Sequence, residues 1–164
     1  MSRAVLIAHN VRSCLNVGSM LRTADGLGIE RVYLTGYTPY PLLENDTRMP
    51  HLARQITNRI NKSALGAENM VPWSHDEHIE AVLEKLREEG YMIVGLEQTK
   101  HSISLNEFHV DQPVALIVGR EVEGIEPEVL ALCDQTVEIP MRGQKESFNV
   151  SVAAAIALYH LTIS

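Results

Sequence analysis

Short, continuously apolar runs alternate along this chain with stretches of helical period. "AVLIAH" (4–9), "YMIVGLE" (91–97) and "PVALIVG" (113–119) lack period-two alternation and end on glycine or a polar residue, the pattern of strands covered on both faces. "RVYLTG" (31–36) and "QTVEIP" (135–140) add two more strands. Helical spacing predicts helices near 17–27, over about 50–60, near 126–131 and across the closing "ESFNVSVAAAIALYHL" (146–161). A polar loop with Pro39 and Pro41 separates the second strand from the second helix, and "ENMVPW" (68–73) follows that helix. A further charged helix is predicted to open at "SHDE", where Ser74 and Glu77 have capping-box spacing. Such alternation implies an α/β domain built on a mainly parallel sheet. Nothing along residues 1–164 reads as a repeat, linker or low-complexity segment, so a single domain is expected.

In sheets of this kind ligands bind beyond the carboxyl ends of the strands, and three loops fall there. "NVGSMLRTADGLG" follows the first strand and carries Asn16, Gly18 and Arg22. "GREVEGIEP" follows "PVALIV", with Gly119 and Gly124 flanking Glu121 and Glu123. Its glycine spacing is that of a phosphate loop, but no Lys-Ser or Lys-Thr follows, and acids have the wrong sign for a phosphate cradle. The loop suits a cation or a basic side chain; alternatively its acids are surface charges that favour the start of the next helix. "PMRGQKESFN" follows the last strand and leads into the closing helix. Ser147 or Asn149 can cap that helix, but a cap needs only one such residue. Ser147, Asn149 and Ser151 recur at i, i+2 and i+4, which puts Ser147 and Ser151 on one helical face. The surplus serines either bond back to the helix backbone or furnish a site. Behind them, "VAAAIAL" permits close packing on another element or on a subunit.

A net charge of −7 taken alone argues against a nucleic-acid partner. The distribution changes that picture. Residues 1–65 hold eight Lys or Arg against four acids, so the remainder carries −11. No acid occurs between Thr47 and Ser63, and "RMPHLARQITNRINK" offers Arg48, Arg54, Arg59 and Lys62 as a basic face, either plain solvated helix or a phosphate-contacting surface. A chain of 164 residues can bury about two thirds of its unfolded surface in one core. No apolar run approaches a membrane span, and "MSRAVLIAHNV" lacks an export signal's apolar region and cleavage site, so a cytoplasmic protein is expected. Cys14 and Cys133 have no metal-binding spacing and are expected to be reduced and buried. His75 and His78 beside the capping box read as surface residues, and no metal is expected.

Taken together, the three loops resemble the signature motifs of the SpoU (TrmH) family of RNA ribose 2′-O-methyltransferases, in the SPOUT superfamily. "NVGSMLRTA" matches the first motif, "VGREVEGIEP" the second and "IPMRGQKESFNVSVAAA" the third, while "KSALGAENMVPW" looks like a segment many members carry between the first two. The resemblance covers essentially the whole chain. It implies an α/β knot, a mainly parallel sheet flanked by helices whose C-terminal segment threads a deep trefoil, which periodicity alone would not suggest. It also implies S-adenosylmethionine as cofactor, RNA as substrate with tRNA favoured over rRNA, and a homodimer whose active sites draw on both subunits. Carried over by position, Leu96, Gly119, Ile139, Met141 and Ser147 line the cofactor pocket, and Arg22 is the catalytic arginine with Asn16, Glu121, Ser147 and Asn149 around it.

The chemistry implied suits those residue types. A ribose hydroxyl is a poor nucleophile until its proton is removed or polarised, whereas a methyl sulfonium is already activated. The site must therefore align the two and manage one proton. Arginine stays protonated near neutral pH, so Arg22 is read as stabilising the developing alkoxide and not as a base. Glu121 is expected to hold Arg22 or its neighbours, and Ser147 and Asn149 to fix the methionine end of the cofactor or the ribose. Phe148 departs from the family's usual leucine. RNA-binding extensions are nearly absent, which leaves RNA capture to the dimer surface and the basic 47–63 segment.

Other readings fit less well. A Rossmann-type methyltransferase needs a glycine-rich turn after the first strand, and none is there. A non-catalytic knotted module that only binds RNA or protein would have no reason to keep Asn16, Arg22, Glu121, Ser147 and Asn149 together.

Overall fold

The computed structural model describes residues 3–163. Its strands are β1 (Ala4–His9), β2 (Val32–Thr35), β3 (Trp73–Asp76), β4 (Met92–Leu96), β5 (Ile103–Ser104), β6 (Val114–Val118) and β7 (Gln135–Glu138). They form one sheet in the order β3-β2-β1-β6-β4-β7-β5, and every pairing is parallel, where a mainly parallel sheet was expected. The helices are α1 (Cys14–Leu27), α2 (Pro50–Ala64), α3 (Ile79–Glu88), α4 (Pro127–Leu130) and α5 (Val150–Ile163).

Successive strand residues point to opposite faces, and that alternation builds two cores. Leu6, Ala8, Leu34, Leu116 and Val118 pack with α1, α2 and α5, whereas Val5, Ile7, Ile93, Ala115 and Ile117 pack with α3 and α4. Burial on both faces is why β1 and β6 read as unbroken apolar runs. The first layer carries the site, because α1 and α5 each begin beside the carboxyl end of the sheet.

Local chemistry sets the ends of α1. The Ser13 hydroxyl accepts from the Asn16 amide at 3.2 Å, and Gly28 closes the helix in the left-handed conformation at φ 66°. Between those ends α1 crosses α2 closely enough that a Cβ on Gly18 would stand 2.3 Å from the Ile60 carbonyl oxygen. The Ser63 hydroxyl donates to the Leu15 carbonyl at 2.8 Å and ties the crossing.

Three expectations change. The charged helix does not open at Ser74: Trp73–Asp76 is β3, in register with Val32–Thr35 at the sheet edge, and α3 starts at Ile79 with no side-chain cap. Strand pairing outweighs the local capping signal there. The two-residue β5 had no periodicity to betray it. Cys14 and Cys133 are free thiols but only half-buried. No helix among the described residues is long and apolar enough to cross a membrane.

The crossing predicts a contrast within one helix. Gly18→Ala should cost about 1–3 kcal/mol through overpacking against α2. Gly26→Ala, with open space around its site, should gain up to about 1 kcal/mol from helix propensity. Thermal unfolding followed by circular dichroism gives the two shifts, expected in opposite directions.

Candidate functional site

Beyond the carboxyl ends of β4, β6 and β7 lies a cavity of about 300 Å³, at the small end of the range for ligand pockets. Leu96, Gly119 and Ile139 supply its floor from the strand ends, and Ser147, Phe148 and Val150 supply a wall from the segment entering α5. Its remaining polar lining is dominated by carboxylates, those of Glu97, Glu121, Glu138 and Glu146, with Arg120 as the cation among them.

Two glycines let the 119–126 loop fold this tightly. Arg120 and Gly124 pair backbone to backbone across the loop at 3.1 Å in both directions. A Cβ on Gly119 would sit 2.7 Å from the Gly124 carbonyl carbon. Gly124 itself has φ 72°, and a Cβ there would meet Glu97 Oε2 at 1.9 Å. That Glu97 oxygen accepts from the Ile125 amide at 2.9 Å and pins the loop to the end of β4.

The carboxylate of Glu121 joins the three loops. Its Oε1 accepts from the amides of Arg12 at 3.0 Å and Ser13 at 2.9 Å and from Asn16 Nδ2 at 3.3 Å. Asn16 Oδ1 in turn accepts from Asn149 Nδ2 at 3.1 Å. Asn149 Oδ1 faces the other way and caps α5, accepting from the Ser151 amide at 2.9 Å. Asn16 thus uses its donor on one loop and its acceptor on another, and Asn149 its donor on a loop and its acceptor on its own helix. Burial raises the Glu121 carboxyl, but the Ser13 and Arg12 amides outweigh it and leave the group below its ordinary value of 4.5.

Asn16, Glu121 and Asn149 therefore meet, and Leu96, Gly119, Ile139 and Ser147 line the cavity. Met141 belongs to the same loop but is not part of the cavity wall. Ser147 lies three residues before α5, so it shares no helical face with Ser151. The Ser151 hydroxyl goes to the cap, 2.6 Å from Asn149 Oδ1, and Ser147 goes to the cavity. Arg22, two turns into α1, is exposed and has no hydrogen bond or ion pair with any described residue. Glu121 holds the start of α1 instead.

The basic segment also divides. Arg48 is spent inside the protein: its guanidinium bonds Asp46 at 2.9 Å and the Tyr40 and Pro41 carbonyls at 3.0 Å, 3.6 Å from the centre of the Tyr40 ring. It clamps the loop before α2 and does not belong to a phosphate-contacting face. Arg54, Arg59 and Lys62 line a shallow groove with His51, Gln55 and Asn58 along the outer face of α2. Glu97 was missed from sequence, where an acid closing an apolar strand is an ordinary sight. Gln98, whose Nε2 donates to the Glu146 carbonyl at 3.0 Å, was missed as well.

A depressed carboxyl makes a pH prediction. Glu121 stabilises the fold fully above its ordinary value of 4.5, and loses that effect as pH falls through its lower folded value. Glu121→Gln should therefore be less stable than wild type at neutral pH, with the gap closing in more acid solution. Urea unfolding at about pH 7 and about pH 3.5 measures both gaps.

Comparison with known proteins gives these motifs a context. The chain is 30% identical over 158 residues to the tRNA (guanosine(18)-2′-O)-methyltransferase of Aquifex aeolicus, covering 94% of this chain and 66% of that protein. Against the next curated relatives, from staphylococci, the chain spans 57% of their length. The SpoU methyltransferase AviRb of Streptomyces viridochromogenes, solved with AdoMet, superposes with a TM-score of 0.75 at 26% identity, over 98% of this chain and 59% of that one. A structure concerned with 2′-OH methylation of C/U34 on tRNA also reaches 0.75, at 25% identity, over 98% of this chain and 94% of that one. The SpoU rRNA Methylase family model matches residues 3–159. On that match, which takes in all three loops, the chain belongs to the SpoU rRNA Methylase family.

Proposed function

We propose that this protein transfers a methyl group from S-adenosylmethionine to a ribose 2′-hydroxyl of tRNA, working as a homodimer in the cytoplasm. The observation that carries the reading is the Asn149–Asn16–Glu121 chain at the mouth of a strand-end cavity. The cavity suits the cofactor. Leu96, Ile139 and Phe148 offer apolar surface for a base, and the surrounding acidic residues favour a cation. When bound, S-adenosylmethionine supplies an activated methyl group. Glu121 and Asn16 orient the cavity mouth, and the Ser147 hydroxyl is free to hold a ribose or the cofactor's amino-acid end. The segment from Ile139 to Asn149 returns past Gln98 before α5; the trefoil threading is what the family implies.

Arg22, with no hydrogen bond or ion pair to any described residue, completes such a site across a subunit boundary. Val152, Ile156, Tyr159 and Ile163 form an apolar stripe that is 37–59% exposed along the outside of α5. Its opposite side, Ala154, Ala157, Leu158 and Leu161, is buried on the sheet. A helix apolar all round belongs inside an assembly. α1 packs beside α5 and presents Leu15 and Arg22 seven residues apart, two turns along one outward stripe. A second copy covering both stripes would bring its Arg22 to this cavity. For the substrate, tRNA is favoured because the structural neighbour of matching length concerns a tRNA nucleotide, and Arg54, Arg59 and Lys62 are free for phosphates.

Purified protein with labelled S-adenosylmethionine should label a 2′-O-methylated nucleoside in tRNA. Arg22→Ala should cut the rate by about 10²–10³ without loss of cofactor affinity, the scale for losing one charge-stabilising group. Absence of cofactor binding would instead indicate a binding module that only contacts RNA or protein. Ile156→Glu should convert a dimer to a monomer in sedimentation velocity and abolish transfer; a fully active monomeric wild type would overturn the shared site.

A further inference from the structure

Arg12 and Tyr37 stand side by side at the carboxyl ends of β1 and β2. The Tyr37 residue is 53% exposed and the Arg12 side chain 63% exposed, with the guanidinium carbon 6.0 Å from the ring centroid. That is the outer limit of cation–π attraction, and polar contact with the Tyr37 phenol, ahead of the Glu123 carboxylate, raises the Arg12 guanidinium above its ordinary value, so the two side chains hold each other in place.

What lies beneath them is unusually fixed for a surface loop. The Tyr37 amide donates to Asn10 Oδ1 at 3.0 Å, and Asn10 is itself left-handed at φ 54°. Gly36 makes room for that contact, because a Cβ there would stand 1.9 Å from the same oxygen. On the other side of Tyr37, Thr38 is 1% exposed. Its hydroxyl accepts from the Val11 amide at 3.1 Å and lies 2.8 Å from the Ala8 and Thr35 carbonyls. Beneath these, buried Thr35 bonds His9 Nδ1 at 2.8 Å, and Asn10 Nδ2 donates to Glu126 at 2.7 Å. The backbone of Arg12 is held by Glu121. This polar network fixes the backbone under two exposed planar side chains, and only Glu126 Oε2 is left without a hydrogen bond among the buried side-chain atoms of the described residues.

The surface continues from there to the cavity. Arg12 Nη2 reaches Glu123 at 3.4 Å, and between Glu121 and Glu123 the 90% exposed Val122 also lines the cavity. A guanidinium plane and a phenol ring are side-chain surfaces on which unpaired bases stack. We infer that Arg12 and Tyr37 form a stacking platform for an unpaired RNA base at or next to the target ribose, so that the protein takes its nucleotide from a single-stranded loop. This inference rests on the methyltransferase reading for the position of the ribose. Stacking tolerates any base, so the platform selects unpaired structure over sequence.

The test uses two separate readouts. In Tyr37→Trp, the added indole fluorescence, measured against wild type with its single Trp73, should be quenched by a single-stranded ten-nucleotide RNA. A duplex of equal charge and an abasic backbone oligomer should leave it unchanged. In the transfer assay, Tyr37→Ala should raise KM for tRNA about tenfold, the order expected for one lost base stack, with kcat and cofactor affinity kept. Tyr37→Phe and Tyr37→Trp should restore KM. Equal quenching by the abasic oligomer, or an unchanged KM in Tyr37→Ala, would overturn the platform. Absence of transfer by wild type would sink the methyltransferase reading, while the oligonucleotide quench would still decide whether bases stack here.

Discussion

Glu121 accepts two backbone amides and one side-chain amide at the start of α1, and the site depends on that junction. The first turn of any helix leaves amide donors without intrahelical partners. An ionised carboxylate is the strongest acceptor a side chain can offer them, and its charge is favoured at a helix N-terminus. Here one carboxylate from the loop after β6 satisfies donors from the loop after β1, and Asn16 passes the connection on to Asn149 ahead of α5. Loops tied to three different strands become one rigid rim. Without the carboxylate, Arg12, Ser13 and Asn16 would lose an acceptor together, and the rim would have no reason to hold one shape.

The rim can form only because the backbone behind it is compressed. Gly119 and Gly124 let the loop after β6 turn back within van der Waals contact of itself, and Glu97 braces it from the end of β4. Asn149 does two jobs with one amide group, capping α5 through its oxygen and reaching Asn16 through its nitrogen. Helix start and site geometry are therefore the same structural event. On the proposed reading, that coupling places Ser147 at the cavity wall as soon as α5 is capped.

α5 joins the core of the protein to its exposed surface. Its alanines and leucines let it settle close on the sheet, while Val152, Ile156, Tyr159 and Ile163 face outward. On the proposed reading, the exposed stripe and Arg22, which has no hydrogen bond or ion pair with any described residue, both await a second subunit.

The sequence by itself determined the parallel α/β frame, because strands buried on both faces must be written as unbroken apolar runs, as β1, β4 and β6 are. It also located the three loops and, through their shared likeness to one family, grouped Asn16, Glu121 and Asn149. It misplaced the start of α3, since a four-residue edge strand such as Trp73–Asp76 is made by its partner β2 and not by its own pattern. Arg48 looked like Arg54 and Arg59 as a letter and differs from them only through Asp46 and Tyr40. Arg12 and Tyr37 meet across 25 residues because β1 and β2 are neighbours in register. Periodicity records which face of an element is buried, whereas contacts between loops depend on strand order and register. Those emerge only when the whole sheet is assembled, and tertiary structure alone decided that Glu121 grips the start of α1 and leaves Arg22 free.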